Sequence, residues 1–245
     1  VTVSEGMRDY VVDELGVEWS RVVVIPSCIE ELAYSDDARR TARARWGVPH
    51  DAPVLLYSGR LGAERLPGHM FDVVARLRRI HPETRLVIMS YRTDIDDLGA
   101  ELERSGLPRA AVVVEQHSRD AALESACGAD VGVIFLESAK RFEGIQAPIK
   151  IAEYLAAGLS LLVNRSVGRI PELVRDSGVG WVVDHDQPSA DIDACVARVA
   201  DEIAHRRDAL RRASLAVCEE RYLWRCHTDA LRRAYGIAES ESANG

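Results

Sequence analysis

Short apolar runs alternate with longer helical patterns along most of this chain, and that alternation constrains the fold more than any other feature. Seven runs predict strands, at residues 21–25, 53–58, 84–90, 111–115, 130–136, 159–164 and 180–183. Helical patterns follow at 69–80, 96–106, 119–128, 149–158 and 170–178, with two more within 191–221 and 224–236. Continuous apolar strands are covered on both faces, and strand–helix alternation implies parallel pairing through right-handed crossovers. The sequence therefore predicts an α/β, Rossmann-like parallel sheet with helices on both faces.

The composition excludes several classes of protein. Of the 245 residues, 47% are hydrophobic, which allows one large or two small domains with a sizeable core. The net charge of −8 argues against a nucleic-acid partner. The five cysteines stand far apart without a C-x-x-C pair, which favours a reducing, cytoplasmic setting over disulfides or a metal site. No apolar run reaches the roughly 18 residues of a membrane-spanning helix.

The loop after the first core strand carries a glycine and two arginines. Gly59 tolerates a positive φ and lets a ligand approach the backbone. Arg60 and Arg65 could clamp a phosphate or diphosphate through charge-assisted hydrogen bonds. The helix that begins near residue 68 would add its positive end. The loop matches neither G-x-G-x-x-G nor a Walker A sequence, and two solvated surface arginines are the alternative.

The stretch QAPIKIAEYLAAG, residues 146–158, predicts a second ligand contact. Pro148 suits the first turn of a helix, where its missing N–H is not needed. The helical period places Glu153 at the edge of the buried stripe, beside the mouth of the preceding loop. A carboxylate there could accept hydrogen bonds from a ribose diol. The alternative is an i,i+3 pair between Glu153 and Lys150, and spacing alone does not decide between them.

Taken together, these motifs resemble the donor-binding domain of family 4 retaining glycosyltransferases, which have the GT-B fold. The resemblance is carried by "GR…R" after a core strand, P-I-K-I-A-E-Y-L-A-A-G before a strand, and SVGRIPELV after it. It extends to VVVIPSCIEEL, similar to the family's interdomain crossover, to SRDAALESACGADVGVIF, and to the terminal RYLWRCHTDALRRAYG. It implies that residues 1–30 are a remnant of the N-terminal domain with its linker, and that 31–237 form the nucleotide-sugar-binding domain. Because the chain begins with Val1, we expect a trimmed sequence. We also expect residues 238–245 to form a disordered tail.

The resemblance also implies roles for individual residues. Arg60 and Arg65 would bind and stabilise the donor diphosphate, with Arg65 standing where the family usually has Lys. Glu153 would hold the ribose, as the last residue of the family's E-x7-E motif. Ile145 occupies the position of the first Glu, and Glu143 could replace that Glu only through a bulged loop. The donor-binding residues implied in all are Gly59, Arg60, Arg65, Gln116, His117, Glu143, Ile145, Pro148, Lys150 and Glu153, with Gln116 and His117 near the base.

The activity implied is retaining, metal-independent glycosyl transfer from a UDP- or GDP-sugar. The acceptor, a saccharide or a lipid-linked one, would be held by an absent N-terminal domain, without which the chain is expected to be inactive. No cofactor or metal is expected, and the location implied is cytoplasmic, including peripheral association with the inner face of the membrane. Two alternatives stay open. One is a sugar-nucleotide epimerase of the same fold. The other is a degenerate, non-catalytic module, which Ile145 and Arg169, at the usual second Gly of the "GGiPE" turn, would favour.

Overall fold

A computed structural model describes residues 1–62, 65–90, 98–116, 119–137 and 144–237. A six-stranded parallel sheet forms its centre, in the order β3-β2-β1-β4-β5-β6. The strands are β1 Val54–Ser58, β2 Arg85–Met89, β3 Val112–Glu115, β4 Val131–Ile134, β5 Ser160–Val163 and β6 Gly180–Val182. This is the strand order of a doubly wound Rossmann-like sheet, so the predicted fold class is confirmed. The chain reverses direction across the sheet between β1 and β4, where ligands of such folds bind.

Nine α-helices surround this sheet in the described part of the chain. They are α1 Glu5–Asp13, α2 Asp36–Trp46, α3 Pro67–Ile80, α4 Gly99–Ser105, α5 Arg119–Ala126, α6 Lys150–Ala156, α7 Ile170–Ser177, α8 Ser189–Arg221 and α9 Thr228–Ala234. No helix of the described residues is both long and apolar enough to cross a bilayer.

The first 50 residues differ most from the sequence-based prediction. The strand predicted at 21–25 is wrong: Val24 forms only an isolated bridge to Thr2, because no described strand extends the pairing on either side. Helices α1 and α2 were not predicted. Each is preceded by a capping serine whose hydroxyl accepts a hydrogen bond from the backbone N–H three residues on, Ser4 from Met7 and Ser35 from Ala38, both at 3.0 Å. These caps are visible in the sequence as S-E and S-D-D.

The core has one apolar layer on each face of the sheet. On one face α2, α5, α6 and α7 cover side chains such as Leu56 and Val163. On the other, α3, α4 and α8 cover side chains such as Leu55 and Leu162. Alternate residues of the same strands therefore point into different layers, as strand geometry requires. Both faces are buried, which explains why the strands read as unbroken apolar runs.

A buried charge cluster, made of Asp130, Arg39, Arg43 and Arg207, fastens the amino-terminal edge of the sheet to α2 and α8. Asp130 precedes β4, and its side chain is 2% exposed. It lies 2.7 Å from Arg39, 3.2 Å from Arg207 and 3.6 Å from Arg43. Its second oxygen also accepts a hydrogen bond from the N–H of Val54 at 2.9 Å. The carboxylate is thus the shared partner of three cations that hold two helices against two strands.

Candidate functional site

The candidate site lies at the carboxyl ends of β1 and β4, where the sheet changes direction. The N–H of Gly59 donates to the carbonyl of Met89 at 2.8 Å, so the chain leaves β1 still attached to β2. Gly59 has φ 115°, a conformation that glycine adopts readily and other residues rarely do. The buried Tyr57 donates from its hydroxyl to the carbonyl of Arg60 at 2.9 Å. The backbone at Gly59 and Arg60 is therefore held by β2 and by Tyr57, and the Arg60 residue is exposed.

The second predicted arginine stands immediately before α3. The N–H of Arg65 donates to the carbonyl of Gly62 at 2.9 Å, and Leu66 then takes a left-handed conformation with φ 48°. Helix α3 begins at Pro67 and has no acidic residue in its first turn. The positive end of a 14-residue helix is thus left without a neutralising side chain from its own first turn.

Lys150, the first residue of α6, reaches across to the end of β1. Its ammonium lies 4.0 Å from the centre of the Tyr57 ring. Arg65 and Glu153 both act on it electrostatically. The structure therefore brings Gly59, Arg65, Lys150 and Glu153 into one neighbourhood, although the sequence drew them from two loops about 90 residues apart.

Tyr154, beside Glu153, joins α6 to the end of β1. Its side chain is fully buried, and its hydroxyl accepts a hydrogen bond from the N–H of Ser58 at 2.8 Å. Its ring lies against Gly132 of β4, where a Cβ would come within 2.1 Å of the ring. The helical period alone places Tyr154 on the outer side of α6, and this is wrong because the short helix is enclosed on nearly every side.

The segment that leads into α6, residues 144–149, is held in place by contacts with residues near the start of the chain. The hydroxyl of Ser4 donates to the carbonyl of Ile145 at 2.8 Å. Gly6 comes so close to this segment that a Cβ would lie 1.9 Å from the carbonyl oxygen of Gly144. An ion pair also joins Asp9 of α1 to Arg169, the residue that caps α7. A cavity of about 370 Å³ lies alongside, lined in part by Ser4, Gln146, Pro148 and Arg169.

The remaining predicted residues are less closely gathered. Gln116 is exposed at the end of β3, which lies two strands away from β1. Pro148 precedes the first turn of α6, and the Ile145 carbonyl is already bonded by Ser4. His117 and Glu143 lie outside the described residues, so their roles remain predictions. Motif reasoning did not single out Tyr57, Ser4, Gly6 or Asp9, because their contributions depend on contacts between distant parts of the chain.

The fold and the site together define a doubly wound α/β domain with cationic side chains at its topological switch point. The family model of the group 1 glycosyl transferases matches residues 38–213, and the chain belongs to this family. It is 28% identical to a D-inositol 3-phosphate glycosyltransferase of Stackebrandtia nassauensis over 97% of its own length and 54% of the relative's. A protein of the same name from a Nocardioides species is 30% identical, over 76% of this chain and 42% of the relative. The chain thus spans about half the length of these relatives.

Solved glycosyltransferase structures share the fold. The lipopolysaccharide glycosyltransferase WaaG superposes with a TM-score of 0.73 at 15% identity, over 98% of this chain and 62% of WaaG. Anabaena Alr3699/HepE in complex with UDP gives a TM-score of 0.78 at 14% identity, over 97% of this chain and 63% of that protein. The expectation of a glycosyltransferase domain with an α/β, Rossmann-like fold is confirmed, since the family match shows the family and these structures share the fold.

Proposed function

We propose that this chain is the donor-binding domain of a glycosyltransferase that uses a nucleoside-diphosphate sugar. The observation that carries the proposal is that Lys150 reaches the carboxyl end of β1, where its charge and that of Arg65 repel each other. Two cations at a switch point, beside the positive end of α3, suit a diphosphate better than a neutral ligand. The names of solved neighbours support this class of ligand, since HepE has been crystallised with UDP and with UDP-glucose.

The chemistry that we propose follows from where charge develops. As the glycosidic bond of the donor stretches, negative charge grows on the departing diphosphate. Arg60, Arg65 and Lys150 would stabilise this charge, together with the helix end, and no metal ion is needed for that step. Glu153 would accept hydrogen bonds from the ribose and so set the distance between base and phosphate. Retention of the anomeric configuration is part of the same proposal.

The acceptor is assigned, in the same proposal, to parts of the protein beyond this domain. Because the chain spans only about half of its relatives, we propose that the remaining half supplies the acceptor site. A saccharide or lipid-linked acceptor and a location at the inner face of the membrane extend this proposal. Relatives named for D-inositol 3-phosphate make a phosphorylated polyol a further acceptor to test.

Calorimetry with UDP, GDP and ADP tests the donor site directly. We expect UDP or GDP to bind, and Arg65→Ala and Glu153→Ala to weaken binding by roughly 10- to 100-fold, since each loses a charge-assisted hydrogen bond of about 1.5–3 kcal/mol. Arg40→Ala is the matched control, because Arg40 is exposed on α2 and pairs only with Asp37 among the described residues. If none of the three nucleotides binds, or if both site variants bind as tightly as the wild type, the proposal is wrong and a non-catalytic module becomes the better interpretation.

A further inference from the structure

Lys150 is half-buried, whereas Arg60 is exposed, and the Lys150 ammonium has no hydrogen-bonded or ion-paired partner in the described part of the chain. Its ammonium contacts the face of the Tyr57 ring at 4.0 Å. Among the described residues, no carboxylate or carbonyl oxygen lies within hydrogen-bonding distance of it. A cation–π contact offsets only part of the cost of removing an ammonium from water. The side chain is therefore held in place with its charge incompletely compensated.

Gly59 explains why the ammonium can stand so close to the end of β1. A Cβ at this position would lie 3.1 Å from both Cε and Nζ of Lys150, and φ of 115° disfavours a side chain as well. The lysine thus occupies the space that any other residue at position 59 would fill. It is presented beside the backbone of the predicted diphosphate loop.

The charged groups around Lys150 come from several elements and act in opposite directions. Arg65, before α3, repels a second positive charge, whereas Glu153, one turn along α6, favours it. The other titratable side chains nearby on β1 and α6 are two tyrosines. The ring of Tyr57 lies under the ammonium, and the hydroxyl of Tyr154 accepts a hydrogen bond from the N–H of Ser58. Burial, with Arg65 adding to it and Glu153 opposing it, lowers the pKa of Lys150 to about 8.

We propose that Lys150, one of the three cations assigned above to the donor diphosphate, takes up a proton when the diphosphate binds. This rests on the proposed function and adds a form of regulation to it: donor affinity falls as the solution becomes alkaline. An arriving anion supplies a partner for the ammonium, so the charged form is favoured in the complex.

The size of the effect follows from linkage. With a pKa of about 8, roughly nine-tenths of the free protein carries the charge at pH 7 and about one-tenth at pH 9. If the bound form keeps its proton at both values, donor affinity falls about tenfold between them. The affinity is highest below the free pKa and declines as the pH rises through it, which is the direction expected for a lysine that gains an anion.

Calorimetry of UDP-glucose near pH 8, in two buffers of different ionisation enthalpy, measures the proton uptake. We expect the wild-type binding heats to differ between the two buffers by an amount that corresponds to the uptake of a fraction of a proton. We also expect the dissociation constant to rise about tenfold from pH 7 to pH 9. The control is Lys150→Met, which keeps the chain length close and removes the titrating group. It should bind more weakly at pH 7, with heats independent of the buffer and a dissociation constant that changes little with pH.

The outcomes separate this inference from the proposal on which it rests. Wild-type binding without buffer dependence would overturn the role of Lys150 and leave the donor site intact. Proton uptake that persists in Lys150→Met would overturn it too, because another group would then be titrating. If UDP-glucose does not bind to the wild type at either pH, both the donor site and the role of Lys150 are wrong.

Discussion

Asp130→Asn should lower the free energy of unfolding by about 3–5 kcal/mol, because it leaves buried guanidinium groups without their common anion. Arg39 and Arg43 are 5% and 3% exposed, so water cannot readily take the place of the carboxylate. Both also donate to backbone carbonyls, Arg39 to Ala129 at 2.9 Å and Arg43 to Gly128 at 2.8 Å, which ties the charges to the chain before β4. Urea unfolding followed by circular dichroism measures the loss.

Asp37→Asn is the matched control for this substitution. Asp37 also pairs with an arginine, Arg40, but its side chain is 89% exposed. Exposed pairs contribute about 0–1 kcal/mol, so the control should unfold almost as the wild type does. Equal losses for the two variants would show that the buried charge cluster does not hold the sheet edge.

The same cluster predicts a loss of stability in acid. Burial alone would raise the pKa of Asp130, but the guanidinium groups of Arg39, Arg207 and Arg43 more than offset it and hold the pKa below its ordinary value. A carboxyl whose folded pKa is depressed stabilises the fold above its unfolded pKa of about 3.9, and that contribution is lost as the pH falls below this value. Asp130→Asn should therefore show a smaller drop in stability below pH 4 than the wild type.

Gly132→Ala should disrupt both the fold and the candidate site. The new Cβ would lie 2.1 Å from the ring of Tyr154, which is fully buried and cannot move aside without displacing α6. Overpacking of this kind costs about 1–3 kcal/mol. Because Tyr154 also accepts the hydrogen bond from Ser58, we expect nucleotide binding to weaken along with stability. Urea unfolding and calorimetry with UDP on the same protein measure the two effects.

Gly99→Ala is the control for Gly132→Ala. It separates the effect of the contact with the Tyr154 ring from the effect of replacing a glycine as such. Gly99 begins α4 with an ordinary φ, and a Cβ added there would meet no heavy atom of the described residues within 4 Å. Alanine at this position should be neutral or slightly stabilising, since it restricts the unfolded chain. A second comparison is Tyr154→Phe, which keeps the ring and removes the hydroxyl. If Gly132→Ala unfolds like Gly99→Ala, the close approach of Tyr154 to β4 does not constrain the site.

The sheet could be predicted well because its determinants are local. Runs such as PVLLYS at 53–58 bury both faces of a strand, and their apolar character alone distinguishes them. The strand at 21–25 failed since an apolar run forms a strand only if a neighbour extends the pairing, and Val24 has a single bridge to Thr2. Helix α2 was missed because its sequence is rich in arginine, two of which are buried against Asp130 rather than exposed.

The sequence predicted which residues the fold gathers at the candidate site, but not the contacts that support them; their chemical roles stay predictions. Gly59 follows a strand end, Arg65 lies just before a helix, and Lys150 and Glu153 lie in the first turn of another, positions that topology gathers at the carboxyl end of the sheet. The contact of Lys150 with Tyr57 could not be predicted, since it depends on how far α6 lies from β1. The hydrogen bond from Ser4 to Ile145 joins residues 141 positions apart, and no local pattern encodes such a contact.

That last contact means that the segment leading into α6 is not mechanically independent of the chain's first helix. Ser4, Gly6 and Asp9 touch residues 144, 145 and 169 at three separate points, so a rotation of α1 would pull on the backbone just ahead of α6. A displacement of the N-terminal segment would therefore reach the start of α6, where Lys150 and Glu153 lie, without passing through the core of the sheet.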